Sequence, residues 1–301
     1  MIAIDWGTSS FRAWRLDDAG RELDRRSAPL GILAVPDRAF AATLATQLAD
    51  WLAIDTGAVL MSGMIGSRQG WTEAAYAPTP AGADALSENL ARVTLADGRD
   101  GWIVPGVITR DASGVHDVMR GEETQILGVL DALGPGTHRL CLPGTHSKWV
   151  TVRDDRIASF ATHMTGETFA LFAQHSILAR TMPPAADELD TAAFDLGVAR
   201  SGDRGGLLHH LFGIRAQVLA GALAEAQTRD TLSGLLVGHE CRAASTGDAV
   251  VHLVGATALT IRYERALAQL GCSVRVHDPD AALAGLTRVA SARGLLGASP
   301  A

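Results

Sequence analysis

Asp5 ends an apolar run near the start of the chain and is followed by Trp6-Gly7-Thr8-Ser9-Ser10, residue types that build a hairpin turn. Such a turn offers backbone N–H groups and hydroxyls to an anion without a charged side chain, and Gly7 lets the ligand approach the backbone. The Asp5 carboxylate is placed to hold Mg²⁺, through waters because that ion dehydrates reluctantly. The pattern returns at a constant offset of 137 residues: Gly7 falls on Gly144, Thr8 on Thr145, Ser10 on Ser147, and Asp17-Asp18 on Asp154-Asp155. Gly7, Thr8 and Ser9 in the first turn, and Gly144, Thr145, His146, Ser147 and Lys148 in the second, are the candidate phosphate ligands. Leu142 stands where the first copy has Asp5, as expected if one metal serves one polyphosphate.

Three further segments carry groups suited to the same chemistry. Arg120-Gly121-Glu122-Glu123 opens a helical pattern, where acidic residues also stabilise the helix N-terminus by ~0.3–1 kcal/mol. Glu122 or Glu123 is a candidate general base for a hydroxyl attacking a γ-phosphate, and the spacing does not choose between them. Ser62-Gly63-Met64 and Ser67-Arg68 lie in a Gly-rich loop leaving a buried strand, the end of an α/β sheet where ligands sit. Ser62 and Ser67 offer hydroxyls, Arg68 a partner for an anionic substrate group, and Trp71 an apolar wall. Gly255, where a strand runs into a helix, is a candidate neighbour of a nucleoside. His239-Glu240 is not followed by the second histidine of a metalloprotease motif, and neither a nucleophile elbow nor a Walker A loop is present.

The elements that must position these groups can be read from periodicity. Strand signals at 2–5, 10–16 and 22–28 are matched in the second copy at 140–142, 148–153 and 157–162. Phe40, Leu44, Leu48, Trp51 and Leu52 share a helical face, 58–61 and 102–108 read as strands, and 122–133 reads as a helix stopped by Gly134-Pro135-Gly136. Beyond that boundary, 216–226 and 232–241 read as helices. Strands at 250–254 and 273–276 flank a helix bearing Leu259, Tyr263, Leu267 and Leu270. A hairpin sheet followed by alternating helix and strand, twice over, is the pattern of a duplicated ribonuclease-H-like α/β domain. The expected domains are 1–136, the substrate and metal side, and 137–301, the nucleotide side, with a cleft between them. With 301 residues and 47% apolar content the chain can fill two cores.

A net charge of −7 with scattered Lys and Arg argues against nucleic acid or a membrane surface as partner. The three cysteines are far apart and without metal-ligand spacing, which suits a reducing cytoplasm. No apolar run approaches the ~20 residues of a membrane span.

Together, Asp5-Trp6-Gly7-Thr8, Ser62-Gly63-Met64, the 120–125 segment, Pro143-Gly144-Thr145-His146-Ser147-Lys148-Trp149, Met164-Thr165-Gly166-Glu167 and Ser233-Gly234-Leu235-Leu236 resemble the 2-dehydro-3-deoxygalactonokinase family over nearly the whole chain. The resemblance implies the actin/hexokinase-like fold of that superfamily. It also implies transfer of the γ-phosphate of ATP, with Mg²⁺, to the 6-hydroxyl of 2-dehydro-3-deoxy-D-galactonate. Related sugar kinases place an Asp in the region of Glu122 and Glu123, which leaves the base open between them. Kinases for other keto-deoxy or aldonic acids, and a non-catalytic nucleotide switch, are the alternatives. The expected partner is a small sugar acid, and a homo-oligomer is compatible with this reading.

Overall fold

The computed structural model describes residues 1–184, 188–245, 250–278 and 280–297. The chain runs through β1 (Ile2–Trp6), β2 (Phe11–Leu16), β3 (Glu22–Ala28), α1 (Phe40–Gln47), α2 (Ala49–Ile54), β4 (Val59–Ser62), β5 (Ala77–Pro78), α3 (Ala83–Glu88), β6 (Ala91–Thr94), β7 (Asp100–Ile103), β8 (Val107–Arg110), β9 (His116–Met119) and α4 (Glu122–Leu133). It continues with β10 (Thr137–Leu142), β11 (Ser147–Arg153), β12 (Arg156–His163), α5 (Thr165–His175), α6 (Thr191–Arg200), α7 (Gly206–Leu219), α8 (Thr228–Ala244), β13 (Val251–Leu253), α9 (Thr257–Gln269), β14 (Val274–Val276) and α10 (Ala281–Arg293).

The first sheet has the order β3-β2-β1-β4-β7-β6 and the second β12-β11-β10-β13-β14. In the first, an antiparallel triplet continues into parallel β4 and β7 beside its first member, with β6 antiparallel at the edge; the second repeats the first five positions, with β10, β13 and β14 parallel. This repeated order is the duplicated ribonuclease-H-like α/β architecture. Central β1 buries Ile2, Ala3, Ile4 and Trp6, as a strand covered on both faces must.

The echoed Asp-Asp pairs do different work. Asp154 and Asp155 take φ of 49° and 60° in the two-residue turn between β11 and β12, the left-handed conformation that matches hairpin twist. Asp17 instead accepts the N–H groups of Ala19 and Arg21 in a longer turn whose positive φ is at Gly20.

Several element expectations need correction. The run at 102–108 is two strands in two sheets: Pro105-Gly106 breaks it, and β8 joins β5 and β9. The helical face from Phe40 is divided at Leu48, whose φ of −124° separates α1 from α2. The helix expected at 216–226 lies earlier, as α7, and ends before Gly221 turns left-handed.

The chain forms two compact units that no single cut at 136 describes. Unit 1 holds Met1–Thr137, Thr151–Phe160 and the described residues from Asp278 onward; unit 2 holds His138–Val150 and Ala161–His277. In unit 1, α10 packs against α4, α3 and β1. The α4–α10 crossing is backbone on backbone: a Cβ at Gly285 would lie 1.7 Å from the carbonyl oxygen of Thr124, and one at Gly128 1.8 Å from that of Ala281. Unit 2 repeats the device where α6 crosses α8, with Gly234 against the carbonyl of Phe194 and Gly197 against that of Thr231. Among the described residues, no helix is long and apolar enough to cross a membrane.

Candidate functional site

In unit 1, β1 and β4 run parallel with Asp5 paired to Ser62, so the first turn and the Gly-rich loop leave the same sheet edge. Gly63, at φ 92°, passes so close that a Cβ there would meet the Trp6 carbonyl at 2.8 Å and Asp5 Oδ1 at 3.1 Å. Gly121, at φ 104°, brings the start of α4 against Gly63: its Cβ would lie 3.3 Å from that Cα. Asp5, Ser62 and the two glutamates therefore gather at one place. Asp5 is mostly buried, and its Oδ2 accepts from Arg12 Nη2 at 2.6 Å.

The two glutamates differ. Glu123 is fully buried; its Oε2 accepts the Gly121 N–H at 2.7 Å and its Oε1 has no hydrogen-bond partner. Burial, reinforced by the neighbouring Glu122 charge, pushes its pKa up to about 8, so it carries its proton at neutral pH. Glu122 is half-buried, and its Oε2 accepts the Arg120 N–H at 3.0 Å.

Around them are further polar atoms without partners: the hydroxyls of Ser62 and Ser67, and Nε and Nη1 of Arg120. Arg120 is a buried cation that its position in the sequence gave no reason to single out. Its guanidinium lies over the Tyr76 ring, 4.4 Å from the centroid, and Nη2 donates to the Ala74 carbonyl at 2.7 Å. A Cβ at Gly66 would be 2.9 Å from Nη1. Buried polar atoms are ordinarily paired, so unpaired groups at the end of β4, in the loop after it and just before α4 are not explained by packing alone.

Other loop residues differ from expectation. Arg68 is exposed and paired with Glu73 at 2.9 Å, which puts it at the rim. Trp71 stacks on Phe40 with ring centroids 6.5 Å apart and is partly buried against the unit 1 core. Met64 is partly buried against the same core. The first turn is closed by the Gly7 N–H on the Ser10 carbonyl at 2.9 Å and leaves Thr8 and Ser9 exposed.

In unit 2 the second turn, 143–146, joins β10 to β11. No heavy atom of another part of the chain lies within 4 Å of where a Gly144 Cβ would be, so that glycine faces open space. Thr145 and His146 are exposed beside it, and the start of α5 is laid on the turn. The Glu167 N–H donates to the Thr145 carbonyl at 3.0 Å, the Glu167 carboxylate pairs with His146, and a Cβ at Gly166 would strike the Gly144 carbonyl at 2.5 Å. Gly166 and Glu167 thus buttress the turn.

Two candidate phosphate ligands turn inward. Ser147 is fully buried, and its hydroxyl donates to Glu240 Oε1 at 2.7 Å. Lys148 is buried too, with Nζ on the His146 carbonyl at 2.9 Å, so its charge lies behind the turn. Strand alternation explains both: β11 starts at Ser147, and its residues point alternately into two packed faces.

Beside the turn is a mostly apolar cavity of about 330 Å³, whose lining includes Gly144, Thr165, Phe169, Ser233, Leu259 and Tyr263. Its size falls at the lower end of small-molecule sites. Gly255, at φ 150°, lies behind Pro143 rather than on the cavity wall. The wall comes from three helices far apart in sequence; Gly144, Thr165, Gly166 and the Ser233 to Leu236 stretch fall in segments that carry the family resemblance, whereas Phe169 and the α9 residues Leu259 and Tyr263 do not.

A sequence model of the 2-keto-3-deoxy-galactonokinase family matches residues 5–289. A Rhizobium meliloti (strain 1021) protein named Probable 2-dehydro-3-deoxygalactonokinase DgoK1 is 42% identical over 303 aligned positions, with 96% of each chain covered. The Escherichia coli (strain K12) 2-dehydro-3-deoxygalactonokinase is 39% identical, with 97% of each chain covered. A Sinorhizobium meliloti crystal structure assigned to the same enzyme superposes with a TM-score of 0.88 at 39% identity, covering 97% of this chain and 98% of that one. A repeated ribonuclease-H-like sheet, a carboxylate-bearing loop cluster in one unit and a glycine turn beside a cavity in the other accord with these likenesses, and the chain belongs to the 2-keto-3-deoxy-galactonokinase family.

Proposed function

We propose that this chain is a kinase that transfers the γ-phosphate of ATP to the 6-hydroxyl of 2-dehydro-3-deoxy-D-galactonate, with Glu122 as general base. The observation that carries the base assignment is the contrast at the start of α4. Glu122 is only half-buried and follows Gly121, which packs on Gly63, while Glu123 is sealed and already protonated at neutral pH. A base must reach the proton it takes and must be ionised to take it.

In this reading the sugar acid is held on unit 1. Ser62 and Ser67 donate to its hydroxyl or carbonyl oxygens, Arg120 sets a positive potential for its carboxylate, and Arg68 guards the rim. Glu122 accepts the proton of the attacking hydroxyl, while positioning and charge stabilisation supply most of the rate. On unit 2 the cavity takes the nucleoside, and the turn at Gly144 and Thr145 takes phosphate oxygens on backbone N–H groups.

The donor set suits Mg²⁺ held through waters. Asp5 has one carboxylate oxygen on Arg12 and another facing Gly63, and no cluster of three acidic, His or Cys ligands is present among the described residues. When bound, the ion would neutralise charge on the phosphates. A small-molecule kinase of this kind fits a soluble cytoplasmic enzyme.

The test is ADP release with MgATP and a panel of 2-keto-3-deoxy sugar acids, for wild type, Asp5→Ala, Glu122→Gln and Glu123→Gln. Stimulation by the galactonate derivative, lost in Asp5→Ala and Glu122→Gln but kept in Glu123→Gln, is expected. Preference for another sugar acid refutes the substrate assignment, and no stimulation by any of them refutes the kinase reading.

A further inference from the structure

Glu240 of α8 is 3% exposed, yet its carboxylate is met by three neutral donors: Ser147 Oγ on Oε1 at 2.7 Å, Trp149 Nε1 on Oε1 at 2.7 Å and Tyr263 Oη on Oε2 at 2.7 Å. Burying a carboxylate without a countercharge is unfavourable compared with an apolar residue of the same size, so its presence calls for a reason beyond packing. The identity of the donors supplies one. Ser147 and Trp149 are the first and third residues of β11, immediately after the turn at 143–146, and both point to the same face of that strand. Lys148 between them points the other way and holds the turn by the His146 carbonyl. Tyr263, the third donor, lines the cavity that Gly144 also lines, and its hydroxyl is 3.4 Å from Ser147 Oγ. One carboxylate therefore ties the root of the turn to the wall of the cavity.

We infer that Glu240 is a positioning residue for nucleotide binding, fixing the backbone of the 143–146 turn against the cavity so that its N–H groups meet phosphate oxygens. The inference rests on the reading that unit 2 binds ATP. Ser147 then acts through Glu240 and does not touch phosphate itself.

MgADP affinity is measured by calorimetry, and KM for ATP and for the sugar acid by coupled assay, for wild type, Glu240→Ala, Glu240→Gln, Ser147→Ala and the Ser147→Ala/Glu240→Ala double variant. Glu240→Ala is expected to weaken MgADP binding and raise KM for ATP about tenfold while KM for the sugar acid stays within about twofold. Glu240→Gln recovers most of the affinity, because its carbonyl can accept from Ser147 and Trp149 and its NH₂ can donate to the Tyr263 oxygen. Ser147→Ala alone weakens binding about threefold and adds nothing in the Glu240→Ala background, as two members of one network should behave.

A purely structural role would lower the melting temperature and the active fraction with both KM values unchanged, and that result overturns the inference. A Ser147→Ala loss that persists in the double variant also overturns it, since the hydroxyl would then contact the nucleotide directly. If Glu240→Ala does not fold, unchanged MgADP affinity in Ser147→Ala suffices to reject the proposal. Failure of wild type itself to bind MgADP rejects the ATP reading and the inference with it, an outcome distinct from a variant that binds like wild type.

Discussion

Replacing Gly285 by alanine places a methyl group where α10 touches α4. The Cβ would stand 1.7 Å from the Thr124 carbonyl oxygen and 2.6 Å from its carbon, both backbone atoms that no rotamer can move aside. An ordinary C···O contact is ~3.3–3.6 Å, so the helices must separate by about 1.6 Å. Overpacking of this kind costs about 3 kcal/mol or more, and the higher helix propensity of alanine returns about 1 kcal/mol, leaving a net loss of about 2 kcal/mol. At about 2–4 °C per kcal/mol for a chain somewhat shorter than this one, the melting temperature should fall by about 4–8 °C.

Thr124 follows Glu123 directly, so the displacement also reaches the start of α4, and a misplacement of ~1 Å can lower kcat about 100-fold. The comparison is Gly213→Ala: Gly213 lies within α7 with no neighbour within 4 Å of the added Cβ, and the substitution should be neutral or stabilising by up to about 1 kcal/mol. Thermal melts followed by circular dichroism, with kcat measured well below the transition, decide the matter. A Gly285→Ala protein that melts at or above wild type with full kcat would refute the backbone-contact account of this crossing.

Four further outcomes are expected. Glu122→Gln should lower kcat by about 10²–10⁴ at pH 7.5. Glu123→Gln should stay within about threefold, and it should gain stability relative to wild type as pH rises: Glu123's raised pKa means that its contribution is complete below its ordinary value of 4.5 and is lost as pH climbs through about 8, which melts across pH 5–9 will reveal. Gly144→Ala should leave the melting temperature within about 2 °C, since the methyl meets no other part of the protein within 4 Å, yet weaken MgADP binding at least about tenfold by calorimetry. His252, buried and 2.8 Å from His277, has its pKa held down to about 4 first by burial and then by its histidine neighbours; its stabilising share is complete above about 6.5 and lost as pH falls through 4. That share is about 1–2 kcal/mol once solvent screening is allowed for, so wild type should lose more stability to denaturant between pH 7 and 4 than His252→Asn does.

How much of this could be read from residues alone follows from the range of each interaction. The antiparallel triplets were legible because their hydrophobic alternation and Gly-Thr turns are local, and 122–133 was legible because its apolar spacing and its glycine stop are local too. The turn of each triplet was found for the same reason, while the inward direction of Ser147 and Lys148 depends on where β11 begins, one residue earlier than its pattern indicated. Arg120 as a buried cation, the choice between Glu122 and Glu123, and the Glu240 network depend on burial by distant segments. Nothing in the spacing of Ser147, Glu240 and Tyr263 announces that they meet. The 102–108 run misled because apolar periodicity cannot say that Pro105-Gly106 moves the chain to another sheet.

The return of α10 to unit 1 matters while the chain is being made. The residues that α10 covers, including the Gly128 side of α4, leave the ribosome before residue 137, whereas unit 1 resumes only at Thr151–Phe160 and from Asp278. At ~5–20 residues per second, the roughly 140 intervening residues take about 7–28 s to synthesise. During that interval the first sheet and α4 present an apolar surface that only a later part of the chain can close. A fragment ending near residue 137 should therefore require a holding chaperone or aggregate, and unit 1 becomes a finished body only once α10 (Ala281–Arg293) has been made.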